Sequence, residues 1–177
     1  MNSKFKLFLG LGLGLTLFTI SGNTQAIPTF TSINLEAMHS GKCLHIDSGT
    51  RPNNYPVTQW SCGNQNNVLW TAIRSNVNPD YYAIASLSSY NNKCLRVKNS
   101  SSAQYAEIVQ YDCNAGFEAL KWSIIPVRDN YYYIKNKYTG KCLHVHDASQ
   151  LNGAKITQRT CENRPNILWK GKSVSPR

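Results

Sequence analysis

The chain has 177 residues, with 19 Lys and Arg against 9 Asp and Glu, six Cys and 11% aromatic residues. This is one ordinary domain's worth of chain, which excludes a multidomain enzyme and leaves room for one compact core. No stretch approaches the roughly 20 consecutive apolar residues of a membrane span.

At the N-terminus, Lys4 and Lys6 precede an apolar run from Leu7 to Ile20, and Thr24-Gln25-Ala26 follows it. That order reads as a secretory signal peptide over residues 1–26, with cleavage after Ala26. The expected mature chain keeps 151 residues, with 17 basic against 9 acidic side chains and a formal charge of +8. It is expected to be secreted, to the outside or to a Gram-negative periplasm. All six Cys lie in the mature part, at 43, 62, 94, 113, 142 and 161. An even number in an exported chain argues for disulfides, whereas a zinc site lacks a C-x-x-C pair and finger-spaced histidines.

The strongest signal is internal repetition. Lys42-Cys43-Leu44-His45-Ile46 recurs as Lys93-Cys94-Leu95-Arg96-Val97 and Lys141-Cys142-Leu143-His144-Val145. Nineteen residues after each first Cys stands a second, with Gln59, Gln110 or Gln158 three residues before it and Trp70, Trp122 or Trp169 eight or nine after it. The units run over about residues 30–76, 77–127 and 128–172. Each reads as short strands, in the first Ile33–Leu35, Cys43–Asp47, Val57–Cys62 and Leu69–Ile73, separated by Gly, Asn, Pro and Ser clusters. A unit this small buries its apolar face only by sharing a core, so three units and twelve strands predict a closed all-β architecture with approximate threefold symmetry.

With these landmarks the chain resembles the ricin-type β-trefoil lectins over about residues 30–172. The resemblance implies a β-trefoil fold with disulfides inside each repeat: Cys43–Cys62, Cys94–Cys113 and Cys142–Cys161. The family's closing Gln-x-Trp is degraded to Val68, Leu120 and Ile167 before the three Trp. These positions read as core, with the Trp residues plugging the trefoil.

Strand alternation puts Leu44 and Ile46 inward and His45 and Asp47 on the opposite face; the matching pairs are Arg96 with Lys98 and His144 with His146. A sugar site needs a hydroxyl-proton acceptor, an aromatic face and an amide that donates and accepts. In the family these are an Asp two residues after the first Cys, an aromatic two before the second, and an Asn three before the Trp. Carried over, they become His45, Trp60 and Asn67 in the first repeat, Arg96, Tyr111 and Ala119 in the second, and His144, Arg159 and Asn166 in the third. The acceptor Asp is absent throughout; Asp47 and Asp147 are the nearby carboxylates expected to stand in. The first repeat alone combines carboxylate, Trp and amide. Arg96 with Lys98, and Arg159 with His144 and His146, point to acidic glycans, with histidine protonation near pH 6.5 strengthening anion binding in the third repeat.

There is no G-x-S-x-G and no H-E-x-x-H, and His45 with Asp47 lacks a nucleophile or pocket, so no catalytic residue, metal or cofactor is expected. In an exported protein the positive charge reads as attraction to anionic glycans or cell surfaces, and no nucleic-acid partner is expected. Asn99-Ser100-Ser101 is a glycosylation acceptor in a eukaryotic host. Two functions follow: a secreted carbohydrate-binding protein, or the receptor-binding subunit of a multichain exported toxin, since small exported trefoils also resemble the carrier chains of cytolethal distending toxins.

Overall fold

The computed structural model describes residues 32–47 and 50–174. The expected signal peptide lies outside them. Twelve strands form among the described residues: β1 (Ile33–Ala37), β2 (Cys43–His45), β3 (Thr58–Trp60), β4 (Trp70–Arg74), β5 (Tyr82–Ser86), β6 (Lys93–Val97), β7 (Ile108–Asp112), β8 (Lys121–Arg128), β9 (Tyr131–Asn136), β10 (Cys142–Val145), β11 (Ile156–Arg159) and β12 (Trp169–Ser173).

The strands divide into a barrel and a cap, and the division repeats three times. Strands β1, β4, β5, β8, β9 and β12 pair antiparallel in a closed ring, with β12 returning to β1. Hairpins β2–β3, β6–β7 and β10–β11 cover one end, each joined to the barrel through β1, β5 or β9. Closure leaves the barrel no open sheet edge. This is the expected all-β trefoil.

The repeated residues of the sequence are the ones that hold the frame. Trp70, Trp122 and Trp169 are fully buried. Each donates its indole N–H to the carbonyl of the Leu after the repeat's first Cys: Leu44 at 2.9 Å, Leu95 at 3.0 Å and Leu143 at 3.0 Å. Val68, Leu120 and Ile167 are buried, as the degraded closing motif predicts. The disulfides are Cys43–Cys62, Cys94–Cys113 and Cys142–Cys161, with Cα separations of 5.0, 5.0 and 5.1 Å.

The three Gln residues have a structural task that their recurrence alone did not disclose. Gln59, Gln110 and Gln158 are wholly buried. Each donates its side-chain amide to two carbonyls of the preceding repeat's loop: Gln59 to Ser149 and Leu151, Gln110 to Arg51 and Pro52, Gln158 to Ser101 and Ala103. A buried side-chain amide needs such partners, and the loop carbonyls supply them. The loop also crosses onto the next hairpin through backbone bonds, Gly153 N–H to Gln59 O, Asn54 N–H to Gln110 O and Tyr105 N–H to Gln158 O. Each repeat thus builds part of its neighbour.

Candidate functional site

Strand alternation identified the correct face but not its exposure. His45, Arg96 and His144 do point away from the Leu and Ile core, yet they are only 7%, 7% and 1% exposed. An aromatic side chain lies against each of them, and the expectation of outward, solvent-facing pairs is corrected on that ground.

In the first repeat, β2 and β3 place His45 directly across from Thr58. His45 Nδ1 lies 2.9 Å from Thr58 Oγ1, and Asn67 Nδ2 donates to Nε2 at 3.3 Å. The Trp60 ring lies over the imidazole, with centroids 5.2 Å apart and planes inclined by 32°. Trp60 itself is 45% exposed. Beside it opens a shallow depression of about 230 Å³, lined by Trp60, Ser61, Cys62, Gln65, Asn67 and Val68. Gln65 and Ser61 were not marked by the sequence; Ser61 directly follows Trp60, and a single 3-10 turn at Asn66–Val68, packed against β2, brings Gln65 to the same depression. Both nitrogens of His45 are engaged, so it orients Asn67 and supports Trp60 and does not replace the family's acceptor. Burial pushes its pKa down.

Asp47 is turned elsewhere. Its carboxylate accepts from Arg51 Nη2 at 2.8 Å and Tyr55 Oη at 3.1 Å. These bonds hold its carboxyl below the ordinary aspartate pKa. It is not among the residues lining the depression.

The second repeat is closed. Arg96 lies between two aromatic rings, its guanidinium carbon 4.3 Å from the Tyr111 centroid and 4.0 Å from that of Phe117. The rings meet edge to face at 5.6 Å. Lys98 pairs with Glu107 at 2.7 Å. The Arg96 and Lys98 anion grip expected from the sequence is therefore spent within the protein, and Arg96 itself covers one face of Tyr111. Where the first and third repeats use His, Thr and Asn, the second has Arg96, Val109 and Ala119, so no amide remains to orient a ligand.

The third repeat restores the first one's support and changes what lies above it. His144 Nδ1 is 2.8 Å from Thr157 Oγ1, and Asn166 Nδ2 donates to its Nε2 at 2.9 Å and to Val145 O at 3.1 Å. The carbonyl contact fixes the amide orientation, which makes Nε2 an acceptor and leaves the ring proton on Nδ1. Burial, and next the charge of Arg159, push the His144 pKa down to about 4. The direction of this shift argues against His144 protonation near pH 6.5 as the source of an anion switch. Arg159 occupies the position of Trp60, and Tyr105 reaches over from the second repeat: its ring centroid is 5.8 Å from His144 and 5.4 Å from His146. Asp147 is exposed and 3.5 Å from His146 Nε2.

Residues 31–169 match the ricin-type beta-trefoil lectin domain. No curated protein gives a significant sequence match. Among solved structures, a designed threefold symmetric protein, ThreeFoil, aligns with a TM-score of 0.74 at 26% identity, over 81% of this chain and 99% of its own. The exo-β-1,3-galactanase of Clostridium thermocellum aligns with a TM-score of 0.74 at 25% identity, over 84% of this chain and 31% of its own, so this chain spans under a third of that enzyme. The C-half of the earthworm R-type lectin, solved with GalNAc, shares the fold with a TM-score of 0.61 at 16% identity, over 81% of this chain and 98% of its own. Three repeats, their internal disulfides, their buried Trp plugs and a family match over most of the chain lead to one assignment: the protein belongs to the ricin-type β-trefoil lectin domain family.

Proposed function

We propose that the protein is a secreted lectin whose principal carbohydrate site is the first repeat. The observation that carries this reading is the exposed Trp60 ring, held over the buried His45 beside a depression with Asn67, Gln65 and Ser61 on its wall. The ring offers an apolar face to a pyranose, and the amides and hydroxyl supply donors and acceptors without a carboxylate. Because the family's acceptor Asp is absent and Asp47 is engaged by Arg51 and Tyr55, the galactose preference typical of the family is not carried over. Cell-surface or extracellular glycans are the proposed partners, acidic ones included. A glycan array on the mature protein, run beside its Trp60→Ala variant, tests the reading: specific signals that vanish in the variant support it, and no signal in either refutes it.

A second reading, the carrier subunit of a multichain exported toxin, is favoured by the closed second repeat. Phe117 of that repeat and Ile73 of the first repeat's β4 remain exposed on one shared depression although the second repeat's sugar-binding positions are consumed. Apolar side chains presented without a ligand-orienting amide suit a protein neighbour. Co-purification of the secreted protein with a second exported chain would support this, and a monomeric species alone in the culture fluid would count against it.

A further inference from the structure

Tyr105 occupies a backbone conformation that its side chain disfavours. Its φ is 62°, in the left-handed region, whereas the equivalent crossing residues of the other repeats are Asn54 (φ 66°) and Gly153 (φ 82°). Asn and Gly visit this region readily; an aromatic residue does so at a conformational cost. Strain of this kind persists where surrounding bonds impose it, and it concentrates at ligand-binding positions. The surrounding bonds are present here. Tyr105 N–H donates to Gln158 O at 2.8 Å, Gln158 N–H donates to Ala106 O at 2.9 Å, and Thr160 N–H donates to the Gln104 side chain at 3.0 Å.

The held ring is 44% exposed and stands over the third-repeat cluster. The Arg159 guanidinium carbon is 5.6 Å from its centroid. Arg159 is where the first and second repeats place Trp60 and Tyr111, so the third repeat has lost its own aromatic and received one from the preceding repeat's loop. We infer that Tyr105 and Arg159, with His146 beside them, form a composite saccharide site across the boundary of the second and third repeats, shaped for a pyranose bearing a carboxylate or sulfate. Tyr105 takes the apolar sugar face, and Arg159 takes the anion through two parallel N–H donors.

The charges around the cluster permit this. Glu162 forms an ion pair with Arg159 at 3.7 Å while the same oxygen holds Arg164 Nε at 2.6 Å, so a bound anion shares the Arg159 guanidinium with Glu162 and takes the donors that this longer contact does not align with. Asp147 faces His146, and Glu107 is shared by Lys98 and Lys155. His144 presents only its ring, since Thr157 and Asn166 engage both nitrogens.

The inference rests on the glycan-binding reading, and the test separates the two. Wild-type secreted protein is titrated with methyl N-acetylneuraminide, a 6-sulfated methyl galactoside and neutral methyl galactoside, with affinity read by calorimetry and the His144 and His146 ring protons followed by NMR. At least one anionic saccharide is expected to shift these protons. Tyr105→Gly, which relieves the backbone strain, should weaken that ligand up to about tenfold without lowering Tm. Tyr105→Phe should retain it, and Arg159→Gln should bring anionic and neutral affinities together. Unchanged anionic affinity in Tyr105→Gly or an unchanged ratio in Arg159→Gln overturns the composite site. Binding of the neutral sugar alone, abolished by Trp60→Ala, overturns it while leaving the lectin reading intact; binding of no saccharide in wild type removes both.

Discussion

The first and second repeats have the same frame and opposite surfaces. Both carry a fully buried Trp bonded to a Leu carbonyl, a buried Gln bonded to two carbonyls of the preceding loop, and a disulfide at the same separation. Over that frame, His45, Thr58 and Asn67 leave Trp60 standing open, whereas Arg96, Val109 and Ala119 are sealed by Tyr111 and Phe117. The frame and the surface are therefore separable layers. One is fixed by backbone groups that every repeat must satisfy, and the other by three co-located side chains that change together.

The largest expected effects lie in the frame and should not distinguish the repeats. Trp70→Ala, Trp122→Ala and Trp169→Ala should each cost about 3–5 kcal/mol, the range for emptying a buried aromatic site. Removing any one disulfide, for instance with Cys94→Ser and Cys113→Ser together, should cost about 3 kcal/mol for a loop of this size. Urea denaturation of the six variants gives the comparison directly. A loss confined to one repeat would show that the threefold frame does not share its load.

Next come the Gln residues. Gln110→Ala removes the amide donor from the carbonyls of Arg51 and Pro52, of which Pro52 O keeps Tyr55 N–H, and Gln59→Ala and Gln158→Ala do the same to their counterparts, where Leu151 O and Ala103 O keep a backbone N–H. Each should cost about 1–3 kcal/mol, the scale of a lost buried hydrogen bond. Retained stability on denaturation would mean that water replaces the amide.

These residues also mark what was legible in the sequence. Cys, Gln and Trp recur at fixed spacing because each repeat needs them at the same place, so fold, disulfides and core Trp residues could be read from the chain. The task of the Gln was not readable, since its partners belong to the preceding repeat and their proximity depends on how the units close around the axis. The site was legible in part. Alternation gave the face of His45, Arg96 and His144, but not the ring lying on top: Phe117 comes from the turn before β8, and Tyr105 from a different repeat. The downward shift of the His144 pKa was hidden for the same reason, because it follows first from burial of the ring and then from the charge of Arg159, both set by tertiary packing.

The histidines separate the repeats by pH. His45 and His144 both have pKa values lowered by burial, His144 to about 4, and the second repeat has Arg96 instead. The unfolded chain, with ordinary histidines near 6.5, then binds more protons than the folded one between those values. The histidine contribution is complete above about pH 6.5 and is lost as pH falls toward 4, with a slope of up to about 1.4 kcal/mol per pH unit for one such group. The lowered aspartate and glutamate pKa values add their own loss below about pH 5, so the histidine slope is read between about pH 6.5 and 5. Thermal melts from pH 7 to 4.5 should show the decline, and His144→Gln should flatten it. An unchanged slope in that variant would place the proton elsewhere.

The smallest expected effect tests the comparison at its surface. Trp60→Ala removes an exposed ring whose stacking on a sugar is worth about 0.5–1.5 kcal/mol beyond area burial. Glycan affinity should drop up to roughly tenfold while stability moves little, because Trp60 lies outside the core. Tyr111→Ala should do the reverse. It leaves Arg96 without one of its two aromatic partners in a position with almost no access to water, so folding stability should fall, and glycan binding, having no open face there to lose, should stay as it was. Calorimetric titration and denaturation of the two variants side by side give four numbers and one pattern. Equal glycan losses in both variants would mean that Phe117 swings away to admit ligand and that the second repeat is a site after all; equal stability losses would mean that Trp60 is a structural cover for His45 and the sugar is recognised elsewhere.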